Sequence, residues 1–190
     1  INNNELLELE KNIYLNKIKQ AMNQENKGAL LQVWNQLPSS LKKDTQLVIL
    51  YTKKLIQKEE YDFAESILRQ QIKKNWHEEL IQLYGSIENV DVNKQLKFIE
   101  SFKKSQSKSA ALYQTLGILS KKLQLWGKAK DYLEKSSELK PTEKSFYELG
   151  ELHHLLNNET SACENFRKGL TLTISSNANE KSKKLIIRSE

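Results

Sequence analysis

Apolar residues recur along this chain at the spacing of amphipathic helices, and short polar breaks separate the runs. Residues 4–24 carry Leu6, Leu9, Ile13, Ile18 and Met22 on one drifting stripe. Residues 26–37 turn Leu30, Val33, Trp34 and Leu37 inward, and Pro38 stops that run. Residues 43–58 use Leu47, Leu50, Tyr51 and Leu55, and residues 61–74 use Tyr61, Ala64, Ile67, Leu68 and Ile72. Two more runs follow, 78–88 with Leu80, Leu83, Tyr84 and Ile87, and 91–104 with Leu96, Ile99 and Phe102. Asp91 opens the second of these, where an acid suits the positive end of a helix. The polar stretch 103–108 reads as a turn. Residues 110–142 hold a helix with Tyr113, Leu116, Leu119 and Leu123 on one face, a second helix with Ala129, Leu133 and Ser136, and a closing Pro141. Helices over 143–157 and 159–173 come next, and residues 176–190 read either as a polar tail or as a capping helix through Leu185, Ile186 and Ile187. The pattern predicts an all-α chain.

The helices repeat. Leu116-Gly117 returns 33 residues later as Leu149-Gly150, and at the same offset Ala129 becomes Ala162, Leu133 becomes Phe166 and Ser136 becomes Gly169. Tyr84-Gly85 lies 32 residues before Leu116-Gly117, and Tyr51-Thr52 lies 33 before that, with Ala64 and Leu68 following at the same internal spacing. Four repeats are therefore expected at about 45–77, 78–109, 110–142 and 143–175, preceded by a diverged hairpin over 4–38, so that 1–175 forms one repeat domain. The second repeat is the most degenerate, with Lys97 and Ser101 where alanine and a large apolar residue are expected. Gly117 and Gly150 should mark close helix crossings facing Ala129 and Ala162. Trp34, Trp76 and Trp126 should be packing residues, Trp76 at the junction between repeats.

Spaced as aromatic, Leu-Gly, Ala, large apolar, small and Pro, residues 110–142 resemble a tetratricopeptide repeat. The resemblance implies a right-handed superhelix of tetratricopeptide-like helical hairpins, stacked because no single hairpin buries its own apolar face. It also implies that the first helix of each repeat lines a concave groove. By the repeat spacing that groove presents Gln46, Ile49 and Lys53, then Gln82, then Gln114, Ile118 and Lys121, then Tyr147, Glu151 and His154. Mixed polar and apolar side chains of this kind suit an extended peptide or a partner's helix.

Composition changes the picture in three ways. Only 2 prolines and 6 glycines in 190 residues agree with a helical chain. The net charge of +6 comes almost entirely from lysine, because Arg69, Arg167 and Arg188 are the arginines present. Lysine-rich helices are ordinarily solvated faces, and arginine is the better sign of phosphate reading. Lys121, Lys122, Lys128 and Lys130 cluster near one hairpin and Lys181, Lys183 and Lys184 charge the tail, so a helical-repeat RNA-binding module is the alternative class. Nucleic acid is not the favoured partner, since no recurring code position or stacking side chain repeats. The single cysteine, Cys163, excludes an internal disulfide.

Candidate chemistry is sparse. No phosphate-binding glycine loop, nucleophile elbow or HExxH appears, and the sequence does not point to an enzyme. His153-His154 invites a metal reading, but adjacent helical residues diverge by about 100° and do not chelate one ion readily. Neither a metal nor a cofactor is expected from the residues themselves. No apolar run approaches the roughly 18 residues of a membrane span, and no signal-peptide pattern is present. The chain opens at Ile1 without methionine, which leads us to expect a portion of a longer protein with room upstream for an anchor.

Several stretches together resemble the tetratricopeptide portion of HemY, a bacterial inner-membrane family encoded with haem-biosynthesis genes. They are Trp34-Asn35-Gln36-Leu37-Pro38, Leu83-Tyr84-Gly85 and Leu125-Trp126-Gly127-Lys128-Ala129, followed by Tyr132-Leu133-Glu134-Lys135-Ser136. The likeness covers most of residues 26–172. It implies a non-catalytic scaffold for other proteins, among them haem-pathway enzymes, linked to a late stage of protohaem synthesis. It further implies an upstream anchor in the inner membrane, with the repeats on the cytoplasmic side. The same context makes haem or another tetrapyrrole a ligand to test at His154.

Overall fold

A computed structural model describes residues 2–24 and 28–187, with side chains described for 2, 5–24 and 28–175. Among the described residues there are helices and turns and no strand. The chain separates into two compact units, Ile1–Val90 and Asp91–Glu190.

The first unit contains α1 (Asn3–Met22), α2 (Ala29–Gln36), a short 3-10 turn (Leu41–Lys43), α3 (Thr45–Gln57), α4 (Tyr61–Lys74) and α5 (Glu78–Ser86). Helix α3 is its centre, packed by α1, α4, α5 and the 3-10 turn. Asp44 caps α3 by accepting a hydrogen bond from the Leu47 N–H at 2.8 Å, and Lys11 of α1 reaches the same carboxylate at 2.7 Å. Tyr51 is buried, its ring stacked on Trp34 at 4.8 Å and its hydroxyl donating to the Leu30 carbonyl at 2.6 Å. Burial, followed by the Glu60 charge, pushes the Tyr51 phenol far above its ordinary range. Helices α4 and α5 are tied by a polar knot. The Tyr84 hydroxyl donates to Glu65 at 2.7 Å and accepts from Arg69 at 2.9 Å. Trp76, between these two helices in sequence, is half-buried.

Helix α1 departs from its expected stripe. Ile18 and Ala21 are buried, whereas Leu6, Leu9 and Ile13 are exposed, as is Leu7. Length explains this. Helix α1 has 20 residues and α2 has 8, or about 30 Å against about 12 Å at 1.5 Å per residue. From Lys11 onward α1 is held by the Lys11–Asp44 contact and by Tyr14, which donates to the Gln36 carbonyl at 2.7 Å. The first turns extend past α2 and find no cover. Helix α2 itself begins at Ala29, and residues 26 and 27 of the expected second run lie outside the described residues.

The second unit contains α6 (Val92–Glu100), α7 (Ala110–Lys122), α8 (Trp126–Leu139), α9 (Glu143–Leu155) and α10 (Glu159–Ile187). Every residue from 110 to 120 is buried, because α6, α8 and α9 all pack on α7. Ser136 fastens α8 to α7 by donating to the Ala110 carbonyl at 2.9 Å. Fully buried Ala129 and Leu133 of α8 meet Leu149 and Leu152 of α9, with Trp126 and Phe146 packed against them. In α6 the inward face is Leu96, Phe98 and Ile99, while Lys97 and Ser101 are exposed. Phe102 is half-buried, edge-on to Phe98 at 5.3 Å.

The two repeat glycines admit larger neighbours than expected. A Cβ on Gly117 would stand 2.5 Å from Cγ of Leu133, with the Ala129 carbonyl oxygen at 3.3 Å. On Gly150 the nearest atoms it would strike are those of the Phe166 ring, and Ala162 is fully buried. The hydrogen-only side chain thus makes a hole for the large apolar residue one turn beyond the alanine.

Hairpin turns close alike in both units. Glu59, Gln124 and Asn157 follow α3, α7 and α9 with φ of 60°, 56° and 58°. In each case the next N–H bonds a carbonyl five residues back: Glu60 to Leu55 at 3.0 Å, Leu125 to Ser120 at 2.9 Å and Asn158 to His153 at 2.9 Å. These are Schellman closures, which satisfy the last carbonyls of a helix by one left-handed residue. Residues 176–187 neither fray nor turn back: they continue α10 as one 29-residue helix, about twice α4 and α8 at 14. The expected apolar contacts of Leu185, Ile186 and Ile187 lie outside the described side chains, and residues 188–190 lie outside the described residues.

Candidate interaction surfaces

In the first unit the expected groove positions separate by burial. Gln46 is exposed on α3 and Gln82 is half-buried on α5. Ile49 is 3% exposed, so it is a core residue and not a groove contact. The cause is the central position of α3, whose apolar arc must be wide enough to meet neighbours on several sides. Lys53 is exposed but engaged, its ammonium 2.6 Å from the Glu79 carboxylate of α5.

The second unit behaves similarly. Gln114 is 2% exposed and Ile118 is also buried, which removes both from any open surface. Helix α7 is enclosed by three other helices, so its groove edge became interior. Lys121 is half-buried and pairs with Glu148 of α9 at 2.7 Å. Lys53–Glu79 and Lys121–Glu148 are one device used twice, a strut from the first helix of a hairpin to the first helix of the next. Both lysines expected to meet a partner are thus paired with a glutamate of the next first helix. Tyr147 and His154 are exposed on α9, and Glu151 is half-buried.

The basic cluster near α8 is partly neutralised. Lys121 has Glu148, and Lys130 stands 3.8 Å from Glu134. Lys103 donates to the Tyr132 hydroxyl at 3.1 Å, and that bond raises the lysine pKa against the opposing effect of burial. The lysines at 181, 183 and 184 lie outside the described side chains.

His154, the residue singled out for a tetrapyrrole, lies at the surface of α9. Its ring is exposed, and Nδ1 lies 2.8 Å from the Glu159 carboxylate. His153 is half-buried and Cys163 is exposed. Among the described residues no group of three His, Cys, Asp or Glu side chains could hold a metal ion.

Two features are not legible in the sequence. One is an open cavity of about 420 Å³ between α9 and α10, lined by Glu143, Lys144, Tyr147, Phe166, Gly169, Leu170 and Thr173. The other is the uncovered amino half of α1. Periodicity marks a residue as apolar and on one face, but it does not say whether a neighbour is long enough to cover it.

No family model matches the sequence, and comparison with curated proteins finds no match. The fold has clear counterparts among solved structures. TTC0263, a thermophilic TPR protein in Thermus thermophilus, superposes with a TM-score of 0.61 at 14% identity, covering 87% of this chain and 89% of its own. The fold is that of a tetratricopeptide helical solenoid. MamA from Desulfovibrio magneticus RS-1 has the same fold, with a TM-score of 0.56 at 18% identity over 87% of this chain and 96% of that one. In tetratricopeptide terms α3, α5, α7 and α9 are first helices, and α4, α6, α8 and α10 are second helices. Among the described residues no helix is long and apolar enough to cross a membrane.

Proposed function

We propose that this chain is a non-catalytic scaffold that binds other proteins through the first helices of its hairpins. The observation that carries the reading is the tetratricopeptide fold itself, which sets Gln46, Tyr147 and His154 at the surface and leaves Glu151 and Gln82 partly open. Side chains spaced along successive first helices can meet an extended peptide or a helix at several points. The likeness of Trp34–Pro38, Leu83–Gly85, Leu125–Ala129 and Tyr132–Ser136 to HemY supports a finer version. In that version the chain is the repeat portion of an anchored protein on the cytoplasmic side of a bacterial inner membrane, where it gathers enzymes of late protohaem synthesis. The lysine excess suits a site beside anionic lipid, at about 1 kcal/mol for each lysine near the surface.

Replacing Gln46, Glu151 and His154 together with alanine tests this reading by crosslinking and pull-down from cells. The triple variant should lose captured haem-pathway proteins while keeping the helical circular dichroism of the parent. Undiminished capture would move the interface off the first helices. Turnover of a tetrapyrrole intermediate by the purified protein would overturn the non-catalytic reading. RNA capture that collapses as salt rises from roughly 50 to 200 mM would favour the nucleic-acid alternative.

A further inference from the structure

We propose that the chain associates head to tail with itself, the uncovered amino half of α1 in one copy seating in the α9–α10 cavity of a second copy. The first support is how the repeats already stack. Helix α9 packs on the α7–α8 hairpin, and its Leu149 and Leu152 bury Leu133. The residue 33 positions beyond Leu133 is Phe166, and it walls the open cavity together with Tyr147 and Leu170. Position 114 on α7 is 2% exposed, and its counterpart Tyr147 on α9 is 53% exposed. Leu170 is 61% exposed. The α9–α10 hairpin therefore presents the next seat of the array with an apolar floor, and among the described residues nothing occupies it. Residues 176–187 do not fold back into it, because they run on as part of α10.

The seat calls for an amphipathic first helix with apolar residues along one edge. Helix α1 answers that description. It is the first helix of the α1–α2 hairpin, and it carries Leu6, Leu9 and Ile13 at i, i+3 and i+7, each more than half exposed. Its amino half stands clear of α2, so a second molecule can approach without displacing anything. The same turns carry Glu5, Glu8 and Glu10 beside the leucines, and Lys144 on the cavity wall offers them a cation, while the neighbouring Glu143 of that wall accepts a hydrogen bond from Thr173 at 3.2 Å. The contact joins two different surfaces, so it passes from copy to copy and builds open chains or closed rings.

Analytical ultracentrifugation of the whole chain over a broad concentration range tests the proposal. The weight-average mass should rise with concentration above the 22.1 kDa of one chain. Two variants then separate the ends, Leu6→Glu with Leu9→Glu on α1, and Tyr147→Ser with Leu170→Glu at the cavity. All four side chains are exposed, so circular dichroism should match the parent. Each variant alone should sediment as a single chain. Their equimolar mixture should form a complex of two chains and stop there, because it contains one intact α1 face and one intact cavity. A parent protein that stays at one chain throughout overturns the proposal. So does a variant that assembles as the parent does, or a mixture that remains at single-chain mass.

Discussion

Gly117 and Gly127 answer to opposite physical constraints. At Gly117 an added methyl meets buried Leu133 at 2.5 Å, and a close-packed interior resists such a methyl by about 1–3 kcal/mol. Gly117→Ala should therefore lower the urea midpoint in spite of the better helix propensity of alanine. At Gly127 nothing lies within 4 Å of the added Cβ, so Gly127→Ala should raise the midpoint, by roughly 0.5–1 kcal/mol of relieved chain entropy. Movement of both variants in one direction would contradict the packing assigned to Gly117. Gln124 supplies a third test at this scale. It holds a φ of 56° in the α7–α8 turn, a conformation that costs a residue with a Cβ about 1–2 kcal/mol. Gln124→Gly keeps the Schellman closure and should stabilise the protein by about 1 kcal/mol after the entropy of glycine is set against it. A lowered melting temperature would show that the glutamine side chain makes a contact worth more than the strain.

Single contacts at the element scale decide how helices are joined. Asp44 serves α3 as its cap and α1 as the partner of Lys11. Losing such a cap costs about 0.5–2 kcal/mol, and Asp44→Ala removes the ion pair as well. Burial pushes the Asp44 carboxyl up, but Lys11 and the Leu47 N–H together pull it below its ordinary value. Its folded pKa is thus lower than its unfolded one, and its stabilisation is full above about pH 4 and is lost as pH falls through the depressed value. Lys11 is raised, by its bond to Asp44 against the effect of burial, so its share is full below the unfolded lysine value and is lost as pH climbs through the raised one. Asp44→Ala should flatten the acid arm of the stability–pH curve, read from urea midpoints between about pH 2 and 6. An unchanged acid arm would mean that Lys11 and Asp44 are not paired in solution.

At the scale of the whole molecule, stacking is the source of stability, because each hairpin borrows its cover from the next. Leu149, Leu152 and Phe146 of α9 complete the cluster begun by Ala129, Leu133 and Trp126. A chain ended after Lys140 should expose that cluster, bind more of a dye specific for apolar surface and unfold at lower urea. Cooperative unfolding at the parental midpoint would mean that α7 and α8 need no neighbour. The Lys53–Glu79 and Lys121–Glu148 struts add direction to the stacking. The first is open to solvent and adds little, while the second is largely shielded, with side chains 17% and 12% exposed. Lys121→Met should therefore cost more stability than Lys53→Met in parallel melts, since truncating the shielded pair strands Glu148.

Helix existence, hairpin order and the repeat were determined by the sequence, because periodicity, helix-stopping prolines and the 33-residue return of Leu-Gly, Ala and large apolar residues are local facts about the chain. The terminal hairpin α1–α2 and the packing of Tyr51, Leu68 and Leu133 are legible for the same reason. The candidate site was legible only in part. Gln46, Tyr147 and His154 could be assigned to a surface from repeat spacing, since their helices are covered on that side by little else. Ile49, Gln114 and Ile118 could not be told apart from them, because burial depends on how many helices surround α3 and α7, and that number is not written in either helix. The uncovered leucines of α1 and the open cavity of α9–α10 were likewise decided by tertiary structure. An apolar stripe fixes which face seeks cover, and only the length and placement of neighbouring helices determine whether that cover arrives.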